Sequence, residues 1–143
     1  MGEEDEEITK IKRKKLREMM GSSIQEERKS ILSMPIEVTD ATFMKVIHDY
    51  PAVVIDCWAP WCAPCRMVAP IVEQLARDYS GRILFGKLNV DENQTVAASY
   101  HIMSIPTFLV FKNGELVDRI VEAMPREMLE PRIVRSLQEK PSA

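Results

Sequence analysis

Histidine is nearly missing from this chain: His48 and His101 are its only two among 143 residues, with three cysteines beside them. A closed zinc site takes four nitrogen or sulfur ligands. With isolated histidines and no second Cys-x-x-Cys, neither a metal centre nor any other bound cofactor is expected. Three cysteines are also too few for the disulfide framework of a small secreted domain. No apolar run approaches the roughly 20 residues that cross a bilayer. Met1-Gly2-Glu3-Glu4-Asp5-Glu6-Glu7 is acidic where a secretory leader needs positive charge and then an apolar stretch. The net charge of −3 gives no whole-chain footprint for nucleic acid. These absences lead to an expectation of a cytoplasmic monomer with no membrane or nucleic-acid partner. What is present, 45% hydrophobic and 29% charged residues, suits one globular domain with a short appendage.

The informative segment is Trp61-Cys62-Ala63-Pro64-Cys65-Arg66. It follows the apolar run Ala52-Val53-Val54-Ile55, which reads as a buried strand, and precedes a stretch with helical periodicity. A Cys-x-x-Cys at such a junction puts one sulfur at the helix N-terminus and the other a turn further in. Unpaired N–H groups and the helix dipole favour negative charge there, so the first thiol should ionise easily. The thiolate is the species that attacks disulfides. A structural disulfide over so short a loop would restrain the unfolded chain little. The residues therefore favour thiol–disulfide exchange.

The surrounding motifs narrow the class. Val54-Ile55-Asp56-Cys57-Trp58-Ala59-Pro60-Trp61-Cys62-Ala63-Pro64-Cys65-Arg66-Met67 resembles the active-site segment of the thioredoxin family. Ala69-Pro70, Lys87-Leu88-Asn89-Val90-Asp91, Ile105-Pro106-Thr107 and Phe111-Lys112-Asn113-Gly114-Glu115 follow in the family's order and spacing. The resemblance covers residues 35 to 138, roughly. It implies a thioredoxin fold and a protein-disulfide reductase recycled by a thioredoxin-reductase-type donor. It makes Cys62 the nucleophile and Cys65 the resolving thiol, the two forming the redox-active disulfide. Asp56 becomes the proton acceptor for Cys65, tuned by Lys87. Pro106 is implied to be cis, with Trp61, Ala63, Pro64 and Ile105 forming an apolar rim for disulfide-containing protein substrates. An oxidase or isomerase, or a redox-gated binding module, are the competing readings. Ala63-Pro64 between the cysteines, with no His, resembles the reducing members.

Some positions depart from the family's pattern. Ala63 and Glu122 stand where glycine is usual, and Cys57 where an aromatic is common. A charged Glu122 beside the groove bears on substrate choice. Asp56 is costly in an apolar strand unless partnered, which leaves open a structural pairing with Lys87. Strand alternation turns Cys57 away from Asp56, toward a core expected to include Phe43 and Leu75.

Residues 1–34 read as a charged extension, helical or disordered, ahead of a domain at 35–143. Ile8, Ile11, Leu16, Met19 and Met20 fall near one helical face, and Ser23-Ile24-Gln25-Glu26 has the form of a capping box. The domain reads β-α-β-α-β-α-β-β-α: a mixed central sheet with helices on both faces. Thr39 or Asp40 is expected to cap the helix carrying Phe43, Val46 and Ile47. Pro70 should kink the helix after the cysteines, and Pro131 should distort or delay the last one. Asn113-Gly114 is a strong hairpin signal.

Overall fold

The computed structural model describes residues 33–138, so the helical face and capping box read from the N-terminal extension lie outside the described residues. The element order is β1 (Ile36–Glu37), α1 (Phe43–Asp49), β2 (Ala52–Trp58), α2 (Ala63–Asp78), β3 (Leu84–Asn89), α3 (Gln94–Ser99), β4 (Thr107–Lys112), β5 (Glu115–Val121) and α4 (Arg126–Gln138). The strands form one sheet in the order β1-β3-β2-β4-β5. β1, β3 and β2 run parallel, while β4 is antiparallel to both β2 and β5. This is the thioredoxin fold.

Strand alternation divides β2 between two cores. Val53, Ile55 and Cys57 face α1 and α3, packing with Phe43, Ile47, Val96 and Leu109. Val54 faces α2 and α4, packing with Val72, Leu75, Phe108 and Ile133. Phe43, Tyr100 and Phe111 meet edge to face in the first core, at centroid separations of 5.3 to 5.7 Å. Leu75 belongs to the second core, so it is not a neighbour of Cys57 as expected. Alternation assigns a side chain to a face but does not say which helix covers that face.

The hairpin holds both turn residues at positive φ, Asn113 at 52° and Gly114 at 83°. Tight hairpins adopt that geometry because it matches the strand twist. Two helix starts differ from expectation. α1 is capped at Thr42 without a side-chain bond, and the Asp40 carboxylate reaches α3 instead. It accepts the N–H groups of Thr95 (3.2 Å) and Val96 (2.9 Å), while Asn93 Oδ1 accepts the Asp40 N–H at 2.8 Å. Asp40 thus caps a helix more than fifty residues away. α4 starts at Arg126, five residues before Pro131, and continues through it; it is not delayed. The first turn closes on the Pro125 carbonyl, which accepts the N–H groups of Met128 and Leu129. Pro131 removes one interior donor, a loss the buried contacts of Leu129 and Ile133 offset.

Candidate active site

The C-terminal end of β2 delivers the chain to the site. Cys62 is the N-cap residue of α2, with extended backbone angles of φ −85° and ψ 107°. Its Sγ accepts the Cys65 N–H at 3.2 Å, as a capping oxygen would. Pro64 occupies the first turn, where a missing N–H costs no intrahelical bond. Cys62 and Cys65 are joined as a disulfide, with Cα atoms 5.3 Å apart. Both are buried in a small apolar cluster with Ala59, against which Trp58, Val90 and Ile105 pack. When the pair is reduced, the N–H now directed at Cys62 Sγ is placed to hydrogen-bond a thiolate, and Cys65 has no comparable position at the helix end.

Pro106 closes the site from the sheet side. The Ile105–Pro106 bond is cis, and the Ile105 carbonyl oxygen lies 3.7 Å from Cys62 Sγ. Trp61 is 68% exposed, and its indole N–H donates to Asp91 Oδ2 at 2.9 Å. That bond fixes an exposed apolar ring beside the sulfurs. Ala63 and Pro64 are exposed next to it, and Ile105 is half-buried. Sequence assigns Asp91 no such role, because nothing local links it to a tryptophan thirty positions earlier. Two exposed methionines extend the apolar surface: Met67 on α2, and Met103 two residues before Ile105. Exposed Met suits contact with varied partners; scattered along the chain, these residues form no sequence pattern.

Asp56 lies beneath this rim. It is 1% exposed, on the sheet face covered by α2, whose sheet-facing side carries Cys65, Val68 and Val72. Neither carboxyl oxygen has a hydrogen-bond partner among the described residues. Burial pushes its pKa up to about 7, and the Lys87 charge only partly opposes that. Lys87 is the register partner of Asp56 across the β2–β3 pair. Its Nζ sits 4.6 Å above the Trp58 ring, a cation–π contact, and no ion pair joins it to Asp56. Asp56 is therefore a buried carboxyl able to exchange a proton near neutral pH.

Cys57, the neighbour of Asp56 on β2, is buried on the opposite face and free. Burial, then the Asp56 charge, push its pKa up to about 12 against the opposing pull of Arg119. It is not a nucleophile at neutral pH. No group of three or more His, Cys, Asp and Glu side chains among the described residues could hold a metal ion.

A cysteine pair at a helix N-terminus, beside a cis-proline on a mixed sheet, defines a thiol–disulfide oxidoreductase. A family model described as Thioredoxin matches residues 34–135. Thioredoxin 1 of Nostoc sp. (strain PCC 7120) is 46% identical over 107 residues, covering 74% of this chain and 100% of that protein. Thioredoxin of Porphyra purpurea is 50% identical over 95 residues, covering 66% of this chain and 89% of its own length. A solved mutant thioredoxin from Halobacterium salinarum NRC-1 superposes with a TM-score of 0.69 at 32% identity, covering 77% of this chain and 96% of that one. The chain belongs to the thioredoxin family.

Proposed function

We propose that this chain reduces disulfides in other proteins, with Cys62 as nucleophile and Cys65 as resolving thiol. The observation that carries this reading is Cys62 at the N-cap of α2, its sulfur accepting the Cys65 N–H beside the Ile105 carbonyl. The Cys62 thiolate attacks one sulfur of a substrate disulfide. That S–S bond breaks, the other substrate sulfur leaves as a thiolate, and a mixed disulfide forms. Cys65 gives its proton to Asp56 and attacks Cys62 Sγ. The mixed disulfide breaks, the second substrate sulfur leaves, and the Cys62–Cys65 disulfide remains. Two electrons have passed to the substrate, and none requires a bound cofactor.

Lys87 acts through Asp56. Its positive charge favours the carboxylate and offsets part of the burial effect, keeping the proton acceptor usable near neutral pH. The exposed Trp61 ring, Ala63, Pro64 and the Ile105–Pro106 segment receive an extended stretch of substrate, whose backbone pairs with Ile105 in the manner of an added strand. A thioredoxin-reductase-type donor returns the disulfide to the dithiol. The unit that does this is the domain at 35–143, with residues 1–34 as an extension; the family match beginning at residue 34 supports that boundary. It acts as a monomer. The compartment is the cytoplasm, where a reducing dithiol is maintained. No helix of the described residues is long and apolar enough to cross a membrane.

The test is dithiothreitol-driven reduction of insulin together with the equilibrium potential of the Cys62–Cys65 couple. Acceleration with a potential near about −270 mV, the reference value for thioredoxins, supports a reductase. A potential near about −120 mV would make the chain an oxidase.

A further inference from the structure

Glu122 holds φ at 104°, a left-handed backbone that residues with a side chain adopt at a cost and that concentrates at functional sites. Its N–H donates to the Pro106 carbonyl at 3.1 Å, which continues the β4–β5 pairing one step past Thr107 and Val121. Pro106 follows Ile105, whose carbonyl oxygen is the one 3.7 Å from Cys62 Sγ. Glu122 is therefore held one strand away from the backbone that flanks the redox pair. On its other side, Ala123 joins Met67, Val68 and Ile71 around an apolar groove of about 310 Å³. Glu122 is exposed and forms no ion pair among the described residues.

The sheet order sets the charge pattern along this end of the molecule. Past the end of β3, on one side of the cysteines, stands the exposed acidic pair Asp91 and Glu92, and just past the end of β5, on the other, stands exposed Glu122. The cations near this end keep their charge, but among the described residues none is ion-paired with these carboxylates. Arg66 donates to the Pro60 carbonyl, Lys87 packs over Trp58, and Arg119 donates to the His101 carbonyl. A segment of substrate laid across Cys62 toward β5 meets an unpaired carboxylate.

From this placement we infer that Glu122 selects substrates by charge. Disulfides whose attacked cysteine is flanked by Lys or Arg are reduced faster than those flanked by Asp or Glu. The inference rests on the disulfide-reducing function proposed above and names the substrate class for that same site. Charges at a rim open to solvent act through a screened field, so the effect is a several-fold change in rate that shrinks with salt.

Three synthetic peptide disulfides of equal length, with paired Lys, paired Gln or paired Glu around the attacked cysteine, test it. Turnover by the full chain is expected to follow the order Lys, Gln, Glu, with kcat/KM differing roughly three- to tenfold between the extremes at low salt. Glu122→Gln, which keeps the size of the side chain, should bring the Lys-to-Glu ratio toward one, and 0.5 M salt should do the same to the native chain. Equal rates on all three peptides, with turnover intact, would overturn the charge selection and leave the reductase reading standing. No turnover of any peptide would overturn both. An unchanged ratio in Glu122→Gln would assign the selection to Asp91 and Glu92 and overturn the role of Glu122.

Discussion

Asp56 and Lys87 are register partners across the parallel β2–β3 pair, yet no ion pair joins them. The lysine ammonium rests on the Trp58 ring, and the carboxyl is left buried with unpaired oxygens. A closely paired carboxylate would stay ionised and be a poor base near neutrality. A carboxyl with no cation nearby would hold its proton too tightly to accept another. The separation between the two residues sets Asp56 between those limits.

The raised pKa of Asp56 makes stability depend on pH in a defined direction. Its pKa is 3.8 when unperturbed and about 7 in the fold, so the folded chain holds a proton that the unfolded chain releases within that window. Stability should fall as pH rises from about 4 to about 7 and level off above, by as much as roughly 4 kcal/mol from this group. Asp56→Asn should remove that dependence, raise the urea midpoint at pH 8, and slow the resolving step. A lower midpoint with unchanged kinetics would make Asp56 purely structural.

Cys57 should be silent toward thiol reagents in the folded, reduced chain. With its pKa pushed up to about 12 and its side chain in the core, both thiolate content and access are low. Two thiols should react quickly with a chromogenic disulfide reagent and the third only on denaturation. Rapid native labelling of Cys57 would contradict the packing of β2.

Glu122→Gly should stabilise the chain, because glycine adopts φ near 104° without a Cβ penalty. Relief of roughly 1–2 kcal/mol, less the added freedom of the unfolded chain, leaves a gain of up to about 1 kcal/mol. Glu122→Ala retains the Cβ and should show no such gain. The difference between the two denaturation midpoints is the reading that checks the strain.

Asp40→Ala should cost about 1 kcal/mol, the usual loss of an N-cap, because the N–H groups of Thr95 and Val96 lose their acceptor. Hydrogen exchange should show the loosening at α3 rather than at α1. Increased exchange confined to residues 43–49 would mean that Asp40 serves the helix beside it in sequence.

What was legible in the sequence is what short-range chemistry dictates. The apolar run from Ala52 marks β2, and the structure starts that strand at the same residue. Asn113-Gly114 marked the hairpin because few residues tolerate positive φ at both turn positions. The position of Cys62 at a helix start followed from a strand, a break and an apolar period. Contacts across the fold were not legible. Asp40 reads as a cap for the helix next to it, because proximity in sequence does not show that α3 comes within reach. Leu75 and Cys57 both read as core, and only the assembled sheet shows that they lie on opposite faces. Pro131 read as a helix breaker, whereas the packing of α4 outweighs a single lost bond. The Trp61–Asp91 bond depends on where β3 ends, which periodicity does not give.

The most direct test of the central claim is mass spectrometry of the adduct trapped when reduced Cys65→Ser meets an insulin disulfide. The chemistry proposed for α2 predicts one insulin chain attached per molecule, linked to Cys62, with no adduct in Cys62→Ser. An adduct at Cys57, or insulin reduction retained by Cys62→Ser, would contradict it.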